Sequence, residues 1–390
     1  MLKTAAVISE YNPFHNGHKY LNTAIKEHYA DAVISIMSGS FTQRGDVALL
    51  SKFSRAKTAL ENGSDLVIEL PVPYAVSNAQ IFSENGVMAA SALGCVNYLC
   101  FGSECGDTEA IIRAARATSD PQVQEQVRLH MKKGDYYPRA LTTSINELYG
   151  EETGKILAAP NNILGVEYCK ALEHTDIIPI AFKRKGAEHD SPEILGNIAS
   201  ASKIRSMVFE NKDTEDYSRF TPEMEMAENP VFFDMFDTVI RYILKITTPS
   251  FLASLPDVSE GLEHRILAAA GTCSSVQEII EKVKTKRYTM ARLRRIMVHL
   301  LLGVTKEIQR TPLPYIRVLG FNETGRKILS RAKDTATLPI IVKPSDSIKT
   351  LEHEARRVLE KDILATDIRE LALKEKGKSG RDFTNGLIVI

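Results

Sequence analysis

Residues 4–20 read TAAVISEYNPFHNGHKY, and this stretch decides the fold. Thr4 to Ile8 is a short run of small and β-branched residues, the composition of a strand buried on both faces of a parallel sheet. Tyr11-Asn12-Pro13 breaks the run, and a helical pattern begins near Gly17. A strand, a tight turn and a helix start leave free backbone N–H groups where an anion would sit. Gly17 permits close backbone approach. His15 and His18 are three residues apart, so one helical turn brings both imidazoles to one side. Each can then donate a hydrogen bond to a phosphate oxygen and to charge that develops during displacement. Two plainer readings stand beside this one: a zinc-binding pair, which lacks a nearby Cys or carboxylate to complete a tetrahedral set, and a chance match on a polar loop.

Comparable apolar runs recur as AVISIM (32–37), LVIELP (66–71), NYLCFG (97–102) and IIPIAFKR (177–184), separated by segments long enough for helices, such as Lys19 to Tyr29. Strands alternating with helices predict an α/β domain, a doubly wound parallel sheet with crossover helices. Ligands in such folds sit beyond the carboxyl ends of the strands. That rule gathers His15 and His18, the loop SGSFTQRGD with Arg44, the run Gly102-Ser103-Glu104, and Arg184 with Lys185 around one crevice. On residue type alone, Gly102 could equally end a strand, and Arg44 could equally be a solvated turn residue. In PNNILGVEYCKAL either Asn161 or Asn162 can cap the following helix. Lys52, Arg55 and Lys57 read as a solvated helix face or as part of an RNA path. In IASASKIR (198–205), Ser200 and Ser202 offer hydroxyls at a helix start, and Lys203 and Arg205 follow with cations. These groups could make charge-assisted bonds to phosphate, or form an ordinary capped helix with a basic face.

The segment His15-Asn16-Gly17-His18 resembles the HxGH signature of the adenylyltransferase and class I aminoacyl-tRNA synthetase superfamily, and IASASKIR resembles its ISSTxIR motif. The two occur in the expected order at opposite ends of one domain. The longer strings SEYNPFHNGHKY, MSGSFTQRGDVALLSKFSRAKTALENGSDLVIELP, FGSECGD and PNNILGVEY narrow the likeness, over most of residues 1–210, to the bacterial tRNA(Met) cytidine acetate ligases. That resemblance implies an ATP-dependent ligase that activates acetate as acetyladenylate and passes the acetyl group to N4 of the wobble cytidine in elongator tRNA(Met). It implies catalytic roles for His15, His18 and Arg205 on the phosphates. It further implies an ATP site drawn from Val7, Ile8, Ser9, Glu10, Tyr11, Asn12, Pro13, Phe14, His15, Asn16, Gly17, His18, Lys19 and Tyr20. Gly102, Arg184, Lys185, Ser200, Ser202, Lys203, Arg205 and one of Asn161 and Asn162, with Asn162 preferred, would complete it. Magnesium is compatible with ATP chemistry, but no carboxylate cluster names a ligand, so no metal site is assigned.

Composition sets the outer bounds. The 390 residues are 44% hydrophobic and 25% charged with zero formal net charge, ordinary for a soluble chain with room for two domains. Five cysteines, an odd number and unevenly placed, suggest no disulfide framework and fit a reducing cytoplasm. No signal peptide or membrane-spanning run is evident. The neutral average hides two opposite regions: residues 210–237 hold nine acids and two bases, whereas residues 281–310 hold nine bases and two acids. The acidic segment reads as a connector, giving a catalytic domain over 1–215 and a mainly helical tRNA-binding domain over 216–390. In the basic region Leu293, Ile296, Met297 and Leu300 can pack inward while Arg292, Arg294, Arg295 and His299 project elsewhere. Arg287 lies just upstream, and Tyr288 adds a possible stacking group for RNA. PLPYIRVLGFNETG and TLPIIVKP, further on, suggest short strands or loops that return to the body. Two rivals remain: a cofactor adenylyltransferase acting on a phosphorylated small molecule, and a non-catalytic nucleotide-dependent RNA-binding protein.

Overall fold

The structure is a computed structural model that describes residues 2–184, 196–210, 217–222, 229–259, 261–373 and 377–390. Its centre is an eight-stranded sheet. Strands β1 (Thr4–Ser9), β2 (Ala32–Ser38), β3 (Leu66–Leu70), β4 (Tyr98–Ser103) and β5 (Ile178–Lys183) fall within a residue of the predicted runs. They are mutually parallel and lie in the order β5-β4-β1-β2-β3. Every residue of β1, β2 and β3 is buried, which is why these strands read as continuous apolar runs rather than alternating ones.

The pleat sends alternate residues to opposite faces. Ala6, Ile8, Ile36 and Leu70 pack with Phe82, Ala90, Ile111 and Val166 from helices Ala79–Ala92, Thr108–Ser119 and Pro160–Ala171. On the other face Ala5, Val7 and Val33 meet Ile25 of helix α1 (Asn16–His28), while Met37 and Val67 meet Ala56 and Ala59 of helix α2 (Lys52–Glu61). Chain order reverses between β1 and β4, and this switch point opens a crevice at the carboxyl edge.

The C-terminal half does two things. Helices between Asp237 and Leu302 bury a further apolar cluster, centred on Leu252, Ile266, Ile279, Leu293, Ile296 and Met297, which Phe41, Val47, Val72 and Val76 of the first half join. The chain then returns to the first sheet. Strand β6 (Ile316–Phe321) pairs antiparallel with β3, Leu66 opposite Phe321, and β7 (Ile340–Ile341) and β8 (Ile388–Val389) pair parallel with β6. The segments PLPYIRVLGFNETG and TLPIIVKP thus supply strands to the sheet of residues 4–183 and lie outside the helical cluster. Residue 215, the expected boundary, lies outside the described residues.

A buried charge cluster fastens this return. Lys52 Nζ sits 2.8 and 2.9 Å from the Glu69 carboxylate oxygens and 2.8 Å from Asp382 Oδ1. Arg317 on β6 lies 2.8 Å from Glu69 Oε2 and also bonds Asp382. Lys52 is fully buried, as is Arg55, which donates to the carbonyls of Leu50, Glu10, Ser38 and Gly39. Neither the solvated-face nor the RNA-path reading holds for Lys52 and Arg55. Lys57 alone of the three is exposed.

Candidate active site

The turn after β1 is over-determined. Arg55 Nη1 donates to Glu10 O at 2.6 Å, Leu49 N to Asn12 Oδ1 at 2.8 Å, Arg205 Nη1 to Asn12 O at 2.6 Å, and Thr221 Oγ1 to Phe14 O at 2.6 Å. Tyr11 takes a positive φ of 47°, and its hydroxyl lies 2.8 Å from Ser35 Oγ. This framing explains why Tyr11, Asn12 and Phe14 are buried: Asn12 braces the turn through its side chain, and Phe14 is core.

Helix α1 starts on a capping box made by the two histidines. His15 Nδ1 accepts from Gly17 N at 3.0 Å, and His18 Nδ1 accepts from His15 N at 3.2 Å. With each Nδ1 engaged as an acceptor, each ring carries its proton on Nε2, so both present N–H donors. The rings stack with centroids 3.7 Å apart. Burial, reinforced by Arg184 and Arg205, lowers His15 to about 3. His18 is also held well below its ordinary value, by burial, His15 and Arg184. Both imidazoles are therefore neutral donors at neutral pH.

They face a crevice of about 420 Å³. Its polar wall includes Ser9, Glu10, Gln43, Arg44, Asn161, Lys183, Arg184, Ser200, Ser202 and Arg205. Its apolar wall includes Val7, Ile8, Leu21, Phe82, Phe101, Leu164, Tyr168 and Phe182. Ser200 caps helix Ala201–Phe209, accepting from Lys203 N at 3.2 Å, and lies 3.0 Å from Ser202 Oγ. The capping reading of IASASKIR is thus realised, and Ser200, Ser202 and Arg205 also border the crevice. A methyl group on Gly102 would come within 3.3 Å of Arg184 Cγ, so glycine makes room for that arginine. Burial lowers the Arg184 pKa.

Of the expected ATP-site residues, Val7, Ile8, Ser9, Glu10, Tyr11, Asn12, His15, Gly17, His18, Tyr20, Gly102, Asn161, Arg184, Ser200, Ser202 and Arg205 border the crevice. Pro13, Phe14, Asn16, Lys19 and Lys203 do not. Asn16 instead ties the turn to distant chain, donating to Asn197 O and Arg219 O at 2.8 Å each. Lys185 lies outside the described residues. The preference for Asn162 is corrected: its side chain is buried and Oδ1 accepts from Glu104 N and Cys105 N, whereas Asn161 lines the crevice. Glu104 reciprocates by accepting from Asn161 Nδ2 and the N–H groups of Asn161 and Asn162. Phe82, Leu164 and Tyr168 went unread in the sequence because apolar residues at helical spacing look like core.

Among the described residues no group of three or more His, Cys, Asp or Glu could hold a metal ion, so the zinc reading of the histidine pair finds no further ligands.

The HIGH nucleotidyl transferase family model matches residues 2–382. The tRNA(Met) cytidine acetate ligases of a Thermoanaerobacter species and of Acetivibrio thermocellus are 39% and 36% identical, over 98% and 100% of both chains respectively. The chain belongs to this ligase family of HIGH nucleotidyl transferases. Crystal structures of Thermotoga maritima TmcAL, apo and with alpha-thio ATP, match over all of both chains with TM-scores of 0.93 and 0.92 at 32% and 31% identity. The likeness to the ligase family therefore continues through the C-terminal half, where sequence motifs were indistinct.

That half holds the basic region expected to meet RNA, and most of its cations are already engaged. Arg295 is buried and pairs with Asp257 at 2.6 Å. Arg292 donates to Asp257 O and Ser259 Oγ, and its guanidinium lies over Tyr288, itself buried. Neither Arg295 nor Tyr288 is available as a surface contact, and His299, expected to project with the arginines, is instead fully buried, because helix Met290–Leu302 is the core helix of its cluster. Arg294 is held more loosely: its guanidinium lies 3.8 Å from Asp46 and over the Phe233 ring, half-buried beside a second hollow of about 390 Å³ that also touches Arg205. Lys284, Lys286 and Arg287 are exposed.

Proposed function

We propose that this chain is an ATP-dependent ligase that makes N4-acetylcytidine at the wobble position of elongator tRNA(Met). An acetate oxygen would form the new bond to the α-phosphorus of ATP while the bond to pyrophosphate breaks. The observation that carries this reading is the pair of neutral Nε2–H donors at the start of α1, facing a crevice that Arg184 and Arg205 also enter. Neutral donors and fixed guanidinium groups aimed at one volume suit positioning and charge stabilisation of a displacement at phosphorus. Ser200 and Ser202 add hydroxyls on the same wall. The apolar wall of Phe82, Phe101, Leu164 and Tyr168 suits the adenine ring, and an enclosed site would shield acetyladenylate from water. Magnesium would enter with the ATP phosphates.

The RNA would approach from the side of Arg294 and the second hollow, with Lys284, Lys286 and Arg287 as outlying phosphate contacts. The target base must leave its stack to reach the mixed anhydride. No helix among the described residues is long and apolar enough to cross a membrane, and a tRNA substrate sets the work in the cytoplasm. The test is incubation with ATP, labelled acetate and unmodified elongator tRNA(Met), followed by nucleoside mass spectrometry. Acetylcytidine that disappears in His18→Ala is expected. Pyrophosphate release that instead requires a phosphorylated cofactor precursor would replace this reading with a small-molecule adenylyltransferase.

A further inference from the structure

The crevice lining is neutral or cationic except at one position. Arg44, Lys183, Arg184 and Arg205 carry positive charge, His15 and His18 are neutral, and Glu10 is the only acid among the described lining residues. A carboxylate next to a triphosphate site repels the nucleotide, so it needs a purpose other than holding phosphate. Its placement is firm. Arg55 holds the Glu10 carbonyl, and Gln43 N donates to Oε1 at 2.8 Å; Oε2 accepts no hydrogen bond among the described residues.

Acetyl transfer needs a proton acceptor. The exocyclic amine of cytidine forms an N–C bond to the acetyl carbonyl carbon, the C–O bond to the phosphate breaks, and AMP leaves with that electron pair. One N4 proton must go elsewhere. The histidines are unsuited, since both Nδ1 atoms are occupied by backbone N–H groups and both Nε2 atoms carry hydrogen. We propose that Glu10 Oε2 receives the N4 proton as the acetyl group passes to cytidine, making Glu10 the general base of the second half-reaction. This rests on the ligase reading above.

The surroundings suit the role. Burial raises the Glu10 carboxyl above the usual range and makes it a stronger base than an exposed carboxylate; the Gln43 N–H, Arg205 and Arg44 oppose that rise and Asp46 adds to it. Tyr168 faces the same carboxylate from helix Pro160–Ala171, and the charge of Glu10 adds to the burial that raises its phenol.

Glu10→Gln keeps an oxygen for Gln43 N and removes only the proton acceptor. Two rates are compared with those of the unaltered enzyme: acetate-dependent ATP–pyrophosphate exchange, and single-turnover acetyl transfer from preformed enzyme-bound acetyladenylate to tRNA. Transfer should fall about 10²–10⁴-fold, at least about 30-fold more than exchange, and the acidic limb of its pH–rate profile should vanish. Glu10→Asp should recover part of the transfer rate. Equal losses in both half-reactions would place Glu10 in ATP or acetate binding and overturn the assignment, as would full transfer by Glu10→Gln. An unaltered enzyme without acetate-dependent exchange would remove the ligase reading itself, and the base with it.

Discussion

Replacing Gly17 with alanine should separate the fold from the chemistry. A methyl group at this position would lie 2.8 Å from His15 Cε1 and 2.9 Å from His15 Nδ1. Ordinary contact begins near 3.4 Å, so the imidazole must retreat by about 0.6 Å. The retreat strains the 3.0 Å bond from Gly17 N to His15 Nδ1, moves the Nε2 donor, and opens the 3.7 Å stack with His18. Stability should change little, because alanine in a first helical turn is favoured over glycine by roughly 0.5–1 kcal/mol, offsetting part of the clash. Misplacing a catalytic donor by the order of 1 Å costs about 10²-fold in rate. Acetate-dependent ATP–pyrophosphate exchange should therefore drop about 10- to 100-fold, with a thermal midpoint within a few degrees of the unaltered chain. Full exchange activity in Gly17→Ala would refute the claim that His15 must sit where the capping box holds it. A collapsed midpoint would show that Gly17 is needed for folding.

Lys52→Met leaves Glu69 and Asp382 sharing Arg317 alone, and loss of one partner from a buried charge cluster costs about 3–5 kcal/mol, readable by urea denaturation. His299 is fully buried and lowered to about 4, chiefly by burial, with Asp257 raising it and Arg295 lowering it. Because the unfolded chain takes up this proton near the ordinary histidine value of 6.5, stability is complete above that pH and falls on acidification toward 4, by up to about 3 kcal/mol. His299→Leu should flatten that part of the curve after allowance for His15, which falls over a similar window. Arg294→Gln should weaken tRNA binding and reduce its salt dependence while leaving the melting temperature near that of the unaltered chain, because the 3.8 Å pair of Arg294 with Asp46 is long and partly exposed. Arg295→Glu should chiefly destabilise, since it sets a buried carboxylate against Asp257.

Strands β1 to β3 were legible because each is buried, and a fully buried parallel strand writes itself as an uninterrupted apolar run; β4 and β5, only partly buried, were legible from their apolar, β-branched and aromatic letters between helix-length segments. The place of the crevice followed from the rule that ligands sit beyond the carboxyl ends of parallel strands, whereas the order of the strands came only from the structure. The pairing of β3 with β6 was not legible in this way, because Leu66 and Phe321 meet across most of the chain and no local period records it. Charged residues misled for a related reason. Lys52, Arg55, Arg292 and Arg295 have the letters of a solvated face, yet their partners are Glu69, backbone carbonyls and Asp257, supplied by distant segments. The choice between Asn161 and Asn162 turned on one residue of helical rotation, about 100°, finer than a boundary read from sequence.

The same long-range dependence shapes the histidine pair. Four residues specify HxGH, but its donors exist because each imidazole spends Nδ1 on a backbone N–H and is buried beside arginines that disfavour protonation. A lysine at either position would bring full charge to the resting crevice and bind ATP strongly in its ground state. That interaction would help the transition state no more than the substrate, so it would not raise the rate of the chemical step. A neutral N–H held still, by contrast, gains most as charge accumulates on the departing pyrophosphate. Arg205 binds the two ends of this device together, bonding Asn12 O in the turn while bordering the crevice from the helix Ala201–Phe209. The two motifs, separated by nearly two hundred residues in the chain, thus act as one mechanical unit.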